Sequence, residues 1–175
     1  MTKIQKLTRI AILVSLATIL HTLETTCIPP ILPWVRIGLA NIITLIAIIS
    51  FGMKVGVGVA GLRTILSSLL RGTLFSPAFI LGLSGGIVSA IVMGIFYRIG
   101  RRLFSFIGIS IAGAVANNLT QIIVVYFILI QHTGCFYILP LFLLSSLITG
   151  FFNGMVVVYL NKELKFVNVQ MEEGN

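Results

Sequence analysis

The chain has 175 residues, 58% of them hydrophobic and 9% charged, with a formal net charge of +8. Soluble domains carry about 25% charged residues, so this composition excludes a soluble fold and predicts an all-α integral membrane bundle. The length admits about six spanning helices of about 20 residues each, as one domain.

The first helix is predicted over residues 8–24, preceded by Lys3, Lys6 and Arg9. No A-x-A-like site follows it and further apolar runs do, so it is read as a span and not as a cleaved leader. It ends with His21 and Glu24, one turn apart and able to meet. The next loop contains Cys27, Pro29, Pro30, Pro33 and Trp34, and proline denies it helical hydrogen bonds. A second helix is predicted over 37–53 and a third over 55–71, joined by a short turn at Lys54. Both are short for a hydrocarbon layer of about 30 Å, which suits a concave outer face.

The fourth helix is predicted over 77–97, the fifth over 107–130 and the sixth over 137–161, leaving 162–175 as a frayed polar tail. Gly82, Gly86, Ala90 and Gly94 are spaced by four, a stripe that lets helix backbones pack closely. With the N-terminus inside, the inner segments collect Lys3, Lys6, Arg9, Lys54, Arg98, Arg101, Arg102, Lys162 and Lys165. That bias predicts six transmembrane helices with N- and C-termini cytoplasmic, in a multi-pass protein of the cell membrane. It also explains most of the positive charge, so nucleic acid is not an expected partner and membrane lipid is.

The remaining cations are Arg36, Arg63 and Arg71, and topology explains none of them. Arg63 stands in the middle of an apolar run, where a cation costs roughly 2.5–3.5 kcal/mol on insertion scales. A residue kept at that cost faces a cavity or a partner. By helical rise Arg63 lies about 12 Å below Arg71, and Asn41 about 7 Å below Arg36. The fifth helix adds Asn117, Asn118 and Gln121, which share one face. Each amide both donates and accepts hydrogen bonds, so the cluster suits either a ligand rich in polar atoms or a bond to another helix. Glu24 is the one acid of the membrane region. Its place near the end of the first helix matches Arg36 or Arg71 in depth better than Arg63. Asn153, in the sixth helix, reads as packing or gating.

Several chemistries have little to work with. There is no Asp, and the other acids are Glu163, Glu172 and Glu173 in the tail. Paired-carboxylate catalysis and a carboxylate-held metal are therefore not expected. No P-loop pattern and no C-x-x-C occur. Cys27 and Cys135 fall in outer loops, where either a disulfide or free thiols fit. Apart from Glu24 the helices hold no acidic relay, so proton-coupled antiport is weakly supported. No cofactor is expected, and the chain is not read as an enzyme. A polar outer pocket without an energy source suggests a substrate-capture subunit driven by a partner.

The stretches R-I-G-L-A-N-I-I-T-L (Arg36 to Leu45), L-R-x-x-x-x-x-L-L-R-G (Leu62 to Gly72), L-S-G-G (Leu83 to Gly86) and S-I-x-G-A-V-x-N-N-x-x-Q (Ser110 to Gln121) resemble the Gx transporter family. That family is also labelled heptaprenyl diphosphate synthase component I, and the likeness covers about residues 8–160. It is similar to the substrate-binding S components of energy-coupling factor (ECF) transporters. The resemblance implies six helices, a small-molecule site near the outer face, and docking on a transmembrane coupling protein driven by two ATPases. The A-x-x-x-A docking pattern of S components is degenerate here: Ala11 and Ser15 stand at that spacing, followed by Ala17. Asn117 stands where the family pattern often has His. The synthase label points to an isoprenoid or quinone precursor as cargo. Prenyl synthases hold diphosphate through aspartate-rich magnesium sites, which a chain without Asp lacks.

The substrate-binding set expected from these residues is Arg36, Asn41, Arg63, Arg71, Asn117, Asn118 and Gln121, with Ala11 and Ser15 for partner docking. An accessory subunit of an isoprenoid, quinone-pathway or redox enzyme complex is the alternative, and an autonomous channel is a weaker third.

Overall fold

The computed structural model describes residues 3–27, 38–100, 104–130 and 137–173, with 163–173 described by the backbone alone. Arg36, Arg101, Arg102 and Cys135 lie outside the described residues, as does the side chain of Cys27. Among the described residues the chain forms six α-helices and no strand: α1 (Lys3–Cys27), α2 (Leu39–Phe51), α3 (Met53–Leu70), α4 (Pro77–Gly100), α5 (Phe106–Val124) and α6 (Leu139–Glu173). Five of them are long and apolar enough to cross a membrane, which makes this a multi-pass membrane protein.

The exception organises the rest. α2 has 13 residues, about 20 Å of helix, well short of the hydrocarbon thickness. Its residues 42–48 are all buried. A helix apolar on every side belongs in the middle of a bundle, and α2 touches α1, α3, α4, α5 and α6. Ile42, Ile43, Leu45, Ile46, Ala47 and Ile48 form the centre of the core. Each surrounding helix adds to it: Val14 and Ala17, Val59, Met93, Ile109, and Val157. The opposite faces of those helices expose large apolar side chains such as Leu7, Ile12, Leu147, Phe152 and Tyr159, as a lipid-bathed surface requires.

Glycines at positive φ set both ends of α2. Gly38 has φ 73° and Gly52 φ 90°, values that a residue with a Cβ rarely adopts. The second helix is thereby trimmed from the expected 37–53 to Leu39–Phe51. Gly52 alone joins α2 to α3, and the chain folds back sharply there. Ile48 packs where a Cβ at Gly56 would be, and Asn41 bonds Arg63. Each pair is equidistant from Gly52 along the chain, so α2 and α3 form an antiparallel hairpin.

Other boundaries also differ from expectation. α1 begins at Lys3 because Lys, Gln and Leu propagate a helix well. The fifth helix leaves α geometry at Val125 and continues as a π-helical turn over Val125–Ile130. The predicted frayed tail is helical to Glu173, since no Gly or Pro interrupts Met155 to Glu173.

Small residues set the spacing of the ring. The α4 stripe faces α3: a Cβ at Gly86 would lie 3.6 Å from Arg63 Nη2, and one at Gly94 would collide with Met53. A second pair, Gly150 and Gly154 in α6, lies against the α5 backbone. A Cβ at Gly150 would sit 2.7 Å from Ile111 Cα and one at Gly154 2.5 Å from Ile107 Cα. Sequence spacing pointed to the α4 stripe and not to this G-x-x-x-G contact.

Candidate functional site

Five helices meet around a small cavity of about 30 Å³. α1 lends His21, Glu24 and Thr25, the start of α2 lends Gly38, Ala40 and Asn41, and α3, α4 and α5 lend Arg63, Gly82 and Asn117. Such a volume holds about two waters or a group of similar size. A drug-sized site occupies about 300–1,000 Å³.

Arg63 is the principal cation of this space. It is 4% exposed, and its Nη2 donates to Asn41 Oδ1 at 2.7 Å. Its Nε and Nη1 have no partner among the described residues. The sequence puts the guanidinium here through two devices. The Gly52 hairpin brings Asn41 opposite Arg63, and the absence of a side chain at Gly86 leaves room beside Nη2. Orphaned donors of this kind cost about 1–3 kcal/mol each, and more when charged.

Glu24, 7% exposed, is the counter-charge. Its Oε1 accepts the Gly38 N–H at 2.6 Å. That N–H belongs to the N-terminal end of α2, where the helix dipole favours a negative charge. The Gly38 carbonyl in turn accepts from Asn41 N–H at 2.8 Å and from Asn153 Nδ2 at 3.2 Å. One glycine thus ties α1, α2 and α6 together. The hydrogen bond of Arg63 goes to a neutral amide, while Glu24 acts on Arg63 electrostatically from the same cavity. Of the two arginines that depth favours as partners of Glu24, Arg71 lies off this cavity and Arg36 lies outside the described residues. Nearby, His21 Nδ1 lies 3.0 Å from Ser67 Oγ, and Thr22 Oγ1 donates to the same oxygen at 3.0 Å. These bonds fix α1 against α3 at the level of the cavity.

The other expected site residues divide. Asn41, Arg63 and Asn117 share the cavity. Asn118 turns away: its Nδ2 donates to Phe142 O at 3.1 Å and to Ser146 Oγ at 2.7 Å, both in α6. Consecutive residues on a helix point about 100° apart, so Asn117 and Asn118 serve different neighbours. Gln121 is 6% exposed with Nε2 unpartnered among the described residues; it packs at Gly85 and does not line the cavity. Arg71 also lies off the cavity. It is the C-terminal cap of α3, and its Nε donates to Ser67 O at 3.3 Å. A cation is favourable at that end of a helix, which is its local explanation. Ala11 and Ser15 are exposed on α1.

Sequence reasoning missed Gly38, Thr25, Ala40 and Gly82 as cavity residues. The available signal was the glycine between Ile37 and Leu39, a helix-start punctuation directly ahead of Asn41.

A family model described as heptaprenyl diphosphate synthase component I matches residues 13–160. The chain belongs to that family. No curated protein and no solved structure matches. Within the heptaprenyl diphosphate synthase component I family match lies every residue of the cavity, from His21 to Asn117.

Proposed function

We propose that this protein is a non-catalytic, substrate-binding membrane subunit of an ECF-like importer, and that the cavity holds the anionic group of its cargo. The observation that carries this is Arg63: a buried guanidinium that lines a polar cavity and whose Nε and Nη1 have no partner among the described residues. A carboxylate or phosphate oxygen supplies the acceptors those donors need. Asn41 steadies the guanidinium, and Asn117 offers an amide to the same ligand. The cargo is a small anionic or amphipathic molecule, such as an isoprenoid or quinone precursor. Its remainder needs more room than about 30 Å³, so binding parts the walls formed by α1, α4 and α5.

In this proposal the six helices place both termini in the cytoplasm of the cell membrane, as the loop charges favour. The exposed small residues Ala11 and Ser15 lie on the α1 face offered to a coupling protein with two ATPases. The family description favours a second role, as an accessory membrane subunit of a prenyl diphosphate enzyme.

Native mass spectrometry of gently purified protein separates the two. The importer subunit releases a bound small anion, retained by the wild type and lost from Arg63→Met. An identical spectrum from both proteins overturns the site. Stable co-purification with a prenyl synthase subunit, without a small molecule, establishes the accessory role instead.

A further inference from the structure

Among the described residues, hydrogen bonds across the bundle tie α1, α2, α3, α5 and α6 to one another. Glu24 joins α1 to α2, Ser67 joins α3 to α1, and Asn41 joins α2 to Arg63. Asn153 reaches Gly38 from α6, and Asn118 holds α5 to α6. α4 is the exception. From Pro77 to Phe96 no side chain of it bonds another helix among the described residues: Ser84 donates within its own helix, and Ser89 Oγ is buried with no partner. Close packing holds α4 to α5 instead. Asn117 Oδ1 and Gln121 Cγ crowd the place of a Cβ at Gly85, and Ser89 Oγ lies 3.2 Å from where a Cβ at Gly113 would be. A contact of this kind is van der Waals attraction alone, and lipid tails replace it at little loss.

Two polar groups are stranded in the seam between these helices. Gln121 is 6% exposed and Ser89 is 0% exposed, and neither Gln121 Nε2 nor Ser89 Oγ has a partner among the described residues. Buried groups left open cost stability, and a molecule that completes their hydrogen bonds recovers it. The seam also runs into the cavity, where Gly82 of α4 and Asn117 of α5 both line the wall. Arg63 Nη2 lies 3.6 Å from the place of a Cβ at Gly86, and Gln121 packs at Gly85. The guanidinium and the stranded amide thus stand on two sides of one bare stretch of α4 backbone.

We propose that α4 is the gate of this cavity: it parts from α5 along Gly82 to Ser89, and the slot so opened takes the hydrocarbon chain of an amphipathic anion whose charged end lies at Arg63. The gate rests on the anion site proposed above. α4 and α5 expose apolar side chains, Ile80, Leu119 and Ile123 among them, so the slot opens on lipid and the chain never crosses water. With α4 displaced, Gln121 joins Arg63 and Asn117 on a single space. A compact anion needs no such opening, because the cavity already has room for it.

Ser89→Cys and Gly113→Cys place two thiols across the seam at a spacing that a disulfide spans. Met93, which packs at Gly113, has a flexible side chain that turns aside. The pair is made in the full chain with Cys27→Ser and Cys135→Ser, and its binding of formate and of octanoate is measured in nanodiscs by isothermal titration calorimetry. Reduced, the protein should bind both carboxylates. Oxidised, it should bind formate within about twofold of the reduced protein and octanoate at least about tenfold more weakly. Dithiothreitol should restore octanoate binding. Spin labels at Ile80→Cys and Ile123→Cys, in the same background, give a second measurement that needs no disulfide. Octanoate should lengthen the distance between them by several ångströms, and formate should leave it unchanged.

Equal octanoate affinity in the oxidised and reduced protein, or an unchanged label distance at saturating octanoate, overturns the gate and leaves the anion site standing. Formate binding without octanoate binding in the reduced protein overturns the amphipathic class of cargo. Binding of neither carboxylate removes the anion site, and the gate with it. Where the disulfide pair fails to fold, the label distance decides.

Discussion

Two polar layers inside the bundle behave in opposite ways. Between α5 and α6, Asn118 spends both amide hydrogens on Phe142 O and Ser146 Oγ. Beside it, Gly150 and Gly154 let the two backbones close together. That layer is satisfied and tightly packed. Between α1, α2 and α3, Arg63 lines a cavity and keeps two nitrogens, Nε and Nη1, unpartnered among the described residues. Polar groups buried in a membrane bundle serve adhesion when their valences close within the protein; open valences beside a cavity are those that the proposed ligand would close. The difference lies in the bonding around the group, not in its residue type.

The contrast can be broken at four points. Gly154→Val should disturb the packing most, because the new side chain meets the α5 backbone, which cannot rotate away. About 3 kcal/mol of stability is expected to go, read as a lowered Tm and loss of a monodisperse peak. Arg63→Met comes next: for formate, a carboxylate small enough to probe the cavity, at least a hundredfold loss of affinity is expected, about 2.7 kcal/mol. In Arg63→Met alone a stability loss of up to about 3–5 kcal/mol accompanies this, because Glu24 is left buried without its counter-charge. The double variant Glu24→Gln/Arg63→Met should return to within about 1 kcal/mol of wild type, because both charges leave together. Asn118→Ala should cost about 1 kcal/mol of stability through two interhelical bonds, with formate affinity unchanged. Arg71→Gln should cost a few tenths of a kcal/mol, since only a helix-end interaction is lost. A larger effect of Arg71→Gln on formate binding would extend the site beyond the cavity.

The helices themselves were legible in the sequence because apolar runs of that length have one stable solution in lipid. The burial of Arg63 was legible as well, from its place in such a run. The sides taken by Asn117 and Asn118 were not, since adjacent amides carry the same chemistry and only the neighbouring helices distinguish them. Nor was the meeting of Glu24 with Arg63 in one cavity. It depends on α2 starting at Gly38, and a left-handed residue leaves no periodicity to read. Gly150 and Gly154 were visible as spacing, but the partner backbone they touch is a tertiary fact.

The enclosure of α2 has a consequence for exchange of backbone hydrogens with solvent. Its central amides, from Ile42 to Ile48, are shielded by a complete ring of other helices. They should exchange last in deuterated buffer. The Gly38 amide differs, because its hydrogen is held by Glu24 and not by a helical carbonyl. Its exchange rate gives a label-free reading of whether that carboxylate is in place, at a point where α1, α2 and α6 are joined.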